Sequence, residues 1–214
     1  MSSTEERGVP PRSTRGVAAR QRLLAAAAEE MAVTGDIEVA SVARRAGVSV
    51  GLPYRYFGTR SGLLSALITD FYDRLDAAVG LTEFDGDTWQ DRERARVHAW
   101  VDHLYGDPLA PMVLGRLGGD AETTGIEMQR LQRAIELGAR NVARGQRDGD
   151  LPGGRDPEML VAAILGGIHM AVAVALTLDP RPDRERVAAE LWAFVAGAAG
   201  ATNLAAPDRT MGSR

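Results

Sequence analysis

The sequence predicts an all-α fold of about nine helices, with a three-helix unit at its N-terminal end and a longer helical body after it. Three observations predict it. Apolar residues recur at helical spacing almost throughout, and no alternating apolar/polar run of strand type competes with them. Glycine, proline and aspartate cluster at intervals that cut this pattern into helix-sized pieces. Around Gly47, two very short helical segments are separated by a tight glycine turn.

The elements follow in order. Ser13 or Thr14 can cap a first helix reaching about Val33, with Leu24, Ala27, Ala28 and Met31 at i, i+3, i+4 and i+7 and with Arg20 and Arg22 off that stripe. Gly35 and Asp36 break it, and a short helix follows at about 38–45. A turn at Ala46–Val48 leads to a third helix at about 49–56, which Gly58 stops. A fourth begins near Arg60 and runs to about Val79, with Leu64, Ile68, Phe71 and Leu75 on one face and Leu63 and Leu67 beside them. Residues 80–87 read as a loop. Further helices are predicted at about 88–105, 108–117, 121–147, 156–178 and 183–204, separated by Asp107-Pro108, the run 148–156 and the run 179–183. The resulting boundaries are a disordered arm at 1–12, a first domain at 13–58, a second at 59–204 and a disordered tail at 205–214.

Composition narrows the chemistry. The 214 residues are 45% hydrophobic and 25% charged, a globular balance with enough apolar surface for a core. There is no cysteine, which excludes disulfides, zinc–thiolate sites, iron–sulfur clusters and thiol catalysis. The formal charge is −4, but residues 1–60 carry nine Arg against six acids and residues 61–214 carry 16 Arg against 23. A basic head on an acidic body fits a protein with one face for a polyanion, although chance scatter gives the same split. Residues 1–14 lack the apolar region of a signal peptide. Met159–Leu178 has the length of a membrane span and no formal charge, yet it is rich in Ala and Gly and holds His169 near its middle. It is expected, with 187–206, to form helices buried nearly all round, and no membrane partner is predicted.

The informative stretch is 40–64, ASVARRAGVSVGLPYRYFGTRSGLL. Ala43 is small enough to let two helices meet. Gly47, four residues on, can take the left-handed conformation that the turn needs. Val42 and Val48 are apolar pegs beneath it, Ser49 is a good N-cap, and Phe57 can anchor the end of the third helix. Tyr54, Arg55 and Tyr56 are side chains suited to phosphates and base edges. A plain helical hairpin would share the Ala–Gly spacing, but not the extended pattern.

From Ala43 to Arg60 the sequence resembles the TetR family of bacterial transcriptional regulators: an Ala-Gly-Val-Ser turn, a short helix ending in Tyr-x-Tyr-Phe and a basic residue opening the fourth helix. The close resemblance covers about residues 15–64; beyond it the chain agrees only in length, helix count and the apolar character of the last two helices. It implies a helix-turn-helix DNA-binding domain followed by a ligand-binding and dimerisation domain. It implies that Ser49, Val50 and Gly51 enter the major groove and that Tyr54 and Tyr56 contact the sugar-phosphate backbone. Pro53 falls on the same helix and is counted with the DNA-binding set. Arg55 would meet a guanine edge or a phosphate, Arg60 would hold a phosphate at a helix N-terminus, and Arg44 and Arg45 would flank the backbone or be solvated surface charge.

Three residues depart from the family pattern. Glu38 stands where a Thr or Ser often caps the second helix, which leaves Asp36 as the expected cap. Pro53 could delay or distort the third helix. Val50 removes a polar group from the reading position.

For the body, the resemblance implies a homodimer and a small-molecule effector. The last two helices are apolar on more than one face, and Gly166, Gly167, Ala171, Gly197 and Gly200, with Trp192, are the expected dimer contacts; burial inside one chain is the alternative. Trp100, His103, Tyr105, Met112, Met128 and His169 are candidates to line an effector pocket, or are ordinary core. His98 and His103 do not share a helix face, and Asp148-Gly-Asp150 reads as a turn, so no metal and no cofactor is predicted.

The reading is a cytoplasmic, ligand-released repressor on a palindromic operator, with half-sites roughly 34 Å apart or a multiple of that. A ligand-sensing helical module without DNA is the alternative. An enzyme is disfavoured, since there is no nucleophile elbow, phosphate loop or H-E-x-x-H motif. Effector, operator, target genes and the choice between repressor and activator are not legible.

Overall fold

The computed structural model describes residues 14–115 and 121–201. The expected arm at 1–12, the tail at 205–214, the alternative cap Ser13 and the end of the last predicted helix lie outside them. Among the described residues there are nine α-helices and no strand: α1 (Thr14–Thr34), α2 (Val39–Arg45), α3 (Gly51–Phe57), α4 (Arg60–Leu75), α5 (Trp89–Gly106), α6 (Ala110–Gly115), α7 (Ala121–Asp148), α8 (Pro157–Thr177) and α9 (Arg184–Ala199). The chain divides by packing into two units, Met1–Leu67 and Ile68–Arg214, so it passes from one to the other within α4. The sequence boundary at 58/59 falls between α3 and α4, just after the Gly58 cap.

In the first unit, α1 buries Ala19, Leu23, Leu24, Ala26, Ala27 and Met31, so Leu24, Ala27 and Met31 of the expected stripe face the core. This stripe includes Leu23 and Ala26 and leaves Ala28 only half-buried, so the expected face is rotated slightly toward Leu23. Val42, Ala43, Leu63, Leu64 and Leu67 are buried in the same unit. Helix α4 does not continue as an α-helix to Val79. It ends at Leu75 and widens into a π-helical turn, Asp76–Gly80, closed by a 2.8 Å bond from Leu81 N–H to the Asp76 carbonyl.

In the second unit, three helices start on side-chain caps. Thr88 and Asp91 form a reciprocal capping box at α5, Asp156 accepts from Met159 N–H (2.8 Å) ahead of Pro157 at α8, and Asp183 accepts from Arg186 N–H (3.0 Å) at α9. Helix α8 packs on α6, α7 and α9, and α5 packs on α9. The α7–α8 approach is close because Gly138 has no side chain: a Cβ there would sit 2.7 Å from Val161 Cγ1.

Within one protomer, helices α8 and α9 are not buried all round, so the alternative of complete burial inside one chain does not hold. On α8, Ile164, Ile168, Val172 and Leu176 are buried, whereas Met159, Met170, Val174 and Leu178 are exposed. One protomer has no further layer to cover that side. Helix α8 is long and apolar enough to cross a membrane by composition, and its inner face is used in the packing of this unit.

Candidate nucleic-acid interface and effector cavity

The α2–α3 turn follows from local bonding. Val48 N–H donates to the Ala43 carbonyl (3.0 Å) and Gly47 N–H to the Arg44 carbonyl (3.1 Å), the paired bonds of a Schellman cap. Gly47 has φ +67°, and an added Cβ there would meet nothing within 4 Å, so the backbone conformation alone requires glycine. Ala43 and Val42 are fully buried under the turn, as expected.

On α3, the exposed residues are Val50, Gly51, Tyr54, Arg55 and Gly58, while Leu52, Pro53, Tyr56 and Phe57 turn inward. The spacing i, i+1, i+4, i+5, i+8 is one face of a helix. Ser49 and Arg44 are exposed beside it. Among the described residues, no hydrogen bond or ion pair engages Arg44 or Arg55, so both guanidinium groups are available to an outside partner.

Other sequence-predicted contacts are used within the unit. Pro53 is completely buried, so it anchors α3 rather than facing a duplex; it lies in the first turn, where its missing N–H costs nothing, and the helix starts without delay. Ser49 does not cap α3 with its side chain: Val50 is at the cap position, and it is the Ser49 carbonyl that accepts from Leu52 N–H (3.0 Å). Tyr56 donates its hydroxyl to the Gly16 carbonyl (3.0 Å), pinning α3 to α1. Arg45 pairs with Glu29 at 3.3 Å, and both side chains are exposed. Arg60 donates from Nε to the Ile37 carbonyl (2.9 Å) and from its terminal nitrogen to the Asp36 carboxylate. This ties the start of α4 to the α1–α2 connection. Asp36 is therefore Arg60's partner and not the cap of α2. Glu38 occupies the cap position without a side-chain bond, and its N–H is taken by Glu30 Oε1 (2.8 Å). Thr59 is a residue the reading missed: its hydroxyl accepts from Gly62 N–H (2.9 Å) and caps α4. A threonine directly before a helix start is the signal that could have found it.

The second unit holds a cavity of about 910 Å³ lined by α5, α7, α8 and the π-helical turn. Trp100, Met128 and His169 line it, and the Trp100 and His169 rings meet edge to face at 5.2 Å. The other three candidates do not line it. Tyr105 donates to the Pro182 carbonyl (3.1 Å), Met112 is half-buried on α6, and His103 lies near Asp107 and Arg74 with its Nε2 buried and unpartnered. Burial holds the pKa of both His103 and His169 below the usual imidazole value. His169 Nδ1 lies 2.8 Å from the Leu165 carbonyl, which can only accept, so the neutral ring carries its proton on Nδ1 and leaves Nε2 as an acceptor.

The polar part of the cavity wall was missed. Glu93 Oε2 accepts from Arg96 Nε (3.2 Å) and from Asn141 Nδ2 (2.8 Å). Arg96 also donates to the carbonyls of Val79 (3.0 Å) and Thr82 (3.4 Å), and its guanidinium lies 4.8 Å from the centre of the Phe84 ring. Arg130 of α7 pairs with Asp76 of the π-helical turn at 2.6 Å, and with Asp73. Tyr72, also in the wall, is pushed up to about 12 by burial and then by the Glu127 charge, so it stays a neutral phenol. Charged residues spaced along α5 and α7 read as solvated faces in a sequence; only packing shows that some of them close a cavity.

Burial pushes the Glu93 carboxyl above its ordinary value, against the pull of Arg96 and Asn141. The folded state therefore holds this proton more tightly than the unfolded chain. Its contribution is favourable at low pH and is lost as pH rises from the ordinary carboxylate value through the raised one. Relative to Glu93→Gln, the wild-type protein is expected to lose thermal stability progressively as pH rises above about 4.5. Parallel melting curves for the two proteins over that range would contradict the shift.

The exposed side of α8 and α9 carries Gly166, Ala171 and Gly197, and a Cβ at either glycine would meet nothing within 4 Å. The other expected dimer contacts serve the chain itself. A Cβ on Gly167 would lie 2.7 Å from the Phe194 ring, Gly200 ends α9 at φ +75° against Pro152, and Trp192 packs on Trp89 at 6.3 Å between ring centres.

No family model matches the chain. The HTH-type transcriptional regulator BetI of Ectopseudomonas mendocina (strain ymp) is 37% identical over 90 residues, 41% of this chain and 45% of the relative. The chain thus spans under half the length of that curated relative. Solved structures match over most of both chains. A regulatory protein of the TetR family from Rhodococcus RHA1 superposes with a TM-score of 0.68 at 21% identity, covering 86% of this chain and 98% of that one. The transcriptional regulator FadR from Bacillus subtilis, solved in complex with stearoyl-CoA, superposes at 0.70 with 18% identity, covering 83% and 98%. The resemblance seen between Ala43 and Arg60 thus extends, over 83–86% of the chain, to the fold of the TetR-family transcriptional regulators.

Proposed function

We propose that the protein is a cytoplasmic transcriptional regulator, a repressor that grips a palindromic operator as a homodimer and is released by a small molecule bound in the second unit. The carrying observation is the exposed face of α3, with Gly51, Tyr54 and Arg55 projecting from a helix-turn-helix and Arg44 and Arg55 unengaged beside it. Arg44, Ser49, Tyr54 and Arg55 are the proposed duplex contacts. Arg60 holds the scaffold that presents them and would have to leave Asp36 to take a phosphate.

The cavity suits a largely apolar molecule with a polar group for the Glu93–Arg96–Asn141 cluster. Stearoyl-CoA, with which the Bacillus subtilis FadR of the same fold was solved, is an example of such an amphiphile. Val79 and Gly80 line the cavity and continue directly from α4, the helix in which the chain enters the second unit. An effector that binds one arrangement of this segment better than another shifts the equilibrium; a coupling of about 1–3 kcal/mol would change operator affinity roughly 5- to 150-fold.

The test is binding to the DNA upstream of the protein's own gene, titrated with salt. Specific retention is expected, with log K falling linearly with log salt. Arg55→Ala should reduce the slope by about 1 if Arg55 holds a phosphate, or relax base preference at one position if it reads guanine. No retention at any salt concentration would sink the reading.

A further inference from the structure

Two adjacent residues on the exposed face of α3 have no task in the fold. Val50 is 53% exposed at the start of the helix. Gly51 has an ordinary helical backbone, and an added Cβ would meet nothing within 4 Å. The chain's other glycines nearby have reasons: Gly47 needs φ +67°, and a Cβ on Gly62 would lie 2.0 Å from the Phe57 carbonyl oxygen. At Gly51 alanine would fit and would favour the helix. A missing side chain where the fold leaves room, on an exposed helix face, lets something from outside come close to the backbone. Tyr54, one turn on and 51% exposed, extends the same edge.

The chemistry of Val50 restricts what that partner shows. A branched hydrocarbon can neither donate to guanine O6 and N7 nor pair with the edge of adenine. The apolar feature displayed in the major groove is the C5-methyl group of thymine. We propose that Val50 reads a thymine methyl in each operator half-site and that Gly51 lets the α3 backbone close onto the neighbouring nucleotide. This rests on the regulator reading above, and adds to it a base identity and the side chain that selects it. Arg44, Tyr54 and Arg55 remain the groups that hold the duplex in register.

The experiment starts with duplexes selected from a random library by the full-length protein. A thymine is expected at a symmetric position in both half-sites. Each thymine is then replaced by deoxyuridine, which keeps base pairing and removes only the methyl. Wild-type affinity should fall roughly fourfold for one replaced half-site and about fifteenfold for two. Val50→Ala should bind the thymine and uracil duplexes equally. Gly51→Ala should lose more than about tenfold in affinity while melting no lower than wild type. Indifference of the wild type to uracil at every position, or an equal uracil penalty in Val50→Ala, overturns the thymine assignment. Normal binding by Gly51→Ala overturns the close approach. If the library yields no bound duplex, the regulator reading itself fails, and this inference with it.

Discussion

Met170→Glu is expected to leave a folded monomer whose operator affinity is at least about 100-fold weaker than wild type. Met170 is 55% exposed in mid-α8. It lies on a stripe with Met159, Ala163, Gly166 and Val174, all exposed and spaced by three or four residues. Alongside it, α9 exposes Ala193, Phe194 and Gly197. A contiguous apolar face formed by two helices is more than the scattered exposure usual for a monomer. Gly166 and Gly197, with nothing near their missing side chains, let a second helix pair come close. In a two-fold pairing the same face meets itself. A glutamate there would bury a charge without a partner and place it near its own copy, which costs several kcal/mol. The protomer itself should be nearly unaffected, because an exposed Met→Glu change on a helix typically moves stability by about 0.5 kcal/mol or less. Loss of affinity follows because a monomer engages one half-site and forfeits the second, tethered contact. Sedimentation equilibrium and operator titration on the same preparation check both parts. A dimer that persists with unchanged affinity would place the pairing elsewhere.

Gly62→Ala should destabilise the first unit by more than about 2 kcal/mol and abolish specific DNA binding at growth temperature. Its Cβ would stand 2.0 Å from the Phe57 carbonyl oxygen and 3.2 Å from the carbonyl carbon. These are backbone atoms, so no rotamer change relieves the overlap; the α3–α4 turn must open. That turn also carries the Thr59 cap of α4. Gly47→Ala, by contrast, has open space and only a left-handed backbone to resist it, a cost of about 1–2 kcal/mol. Thermal unfolding should rank the variants Gly62→Ala below Gly47→Ala, with Gly51→Ala at or above wild type. A Gly62→Ala protein melting with the wild type would mean that the α3–α4 turn opens at little cost.

These three glycines show how far a sequence can be read. Gly47 is legible because a left-handed turn between two short helices is a local matter, decided by residues within one or two turns. Gly62 looks like an unremarkable position near a helix start, since the Phe57 carbonyl against it is placed by the geometry of the α3–α4 connection. Gly51 is the reverse case: the pattern assigns it to DNA contact through resemblance, and the open space around it supplies the physical argument.

The all-helical architecture, the order of the helices and the helix-turn-helix around Gly47 are legible in the chain before any packing is known. Helical periodicity, caps and turns depend on neighbours a few residues apart. Tertiary structure alone decided the use of side chains whose partners are distant in the chain. It engages Arg60 with Asp36 and Ile37, buries Pro53, packs Trp192 against Trp89, and brings His169 to Trp100 while leaving His103, Tyr105 and Met112 outside the cavity. It also left one side of α8 and α9 uncovered, which residue composition could not distinguish from burial on every side. The physical reason is the same in each case: periodicity tells which residues share a face, but what that face meets is set by the packing of whole helices.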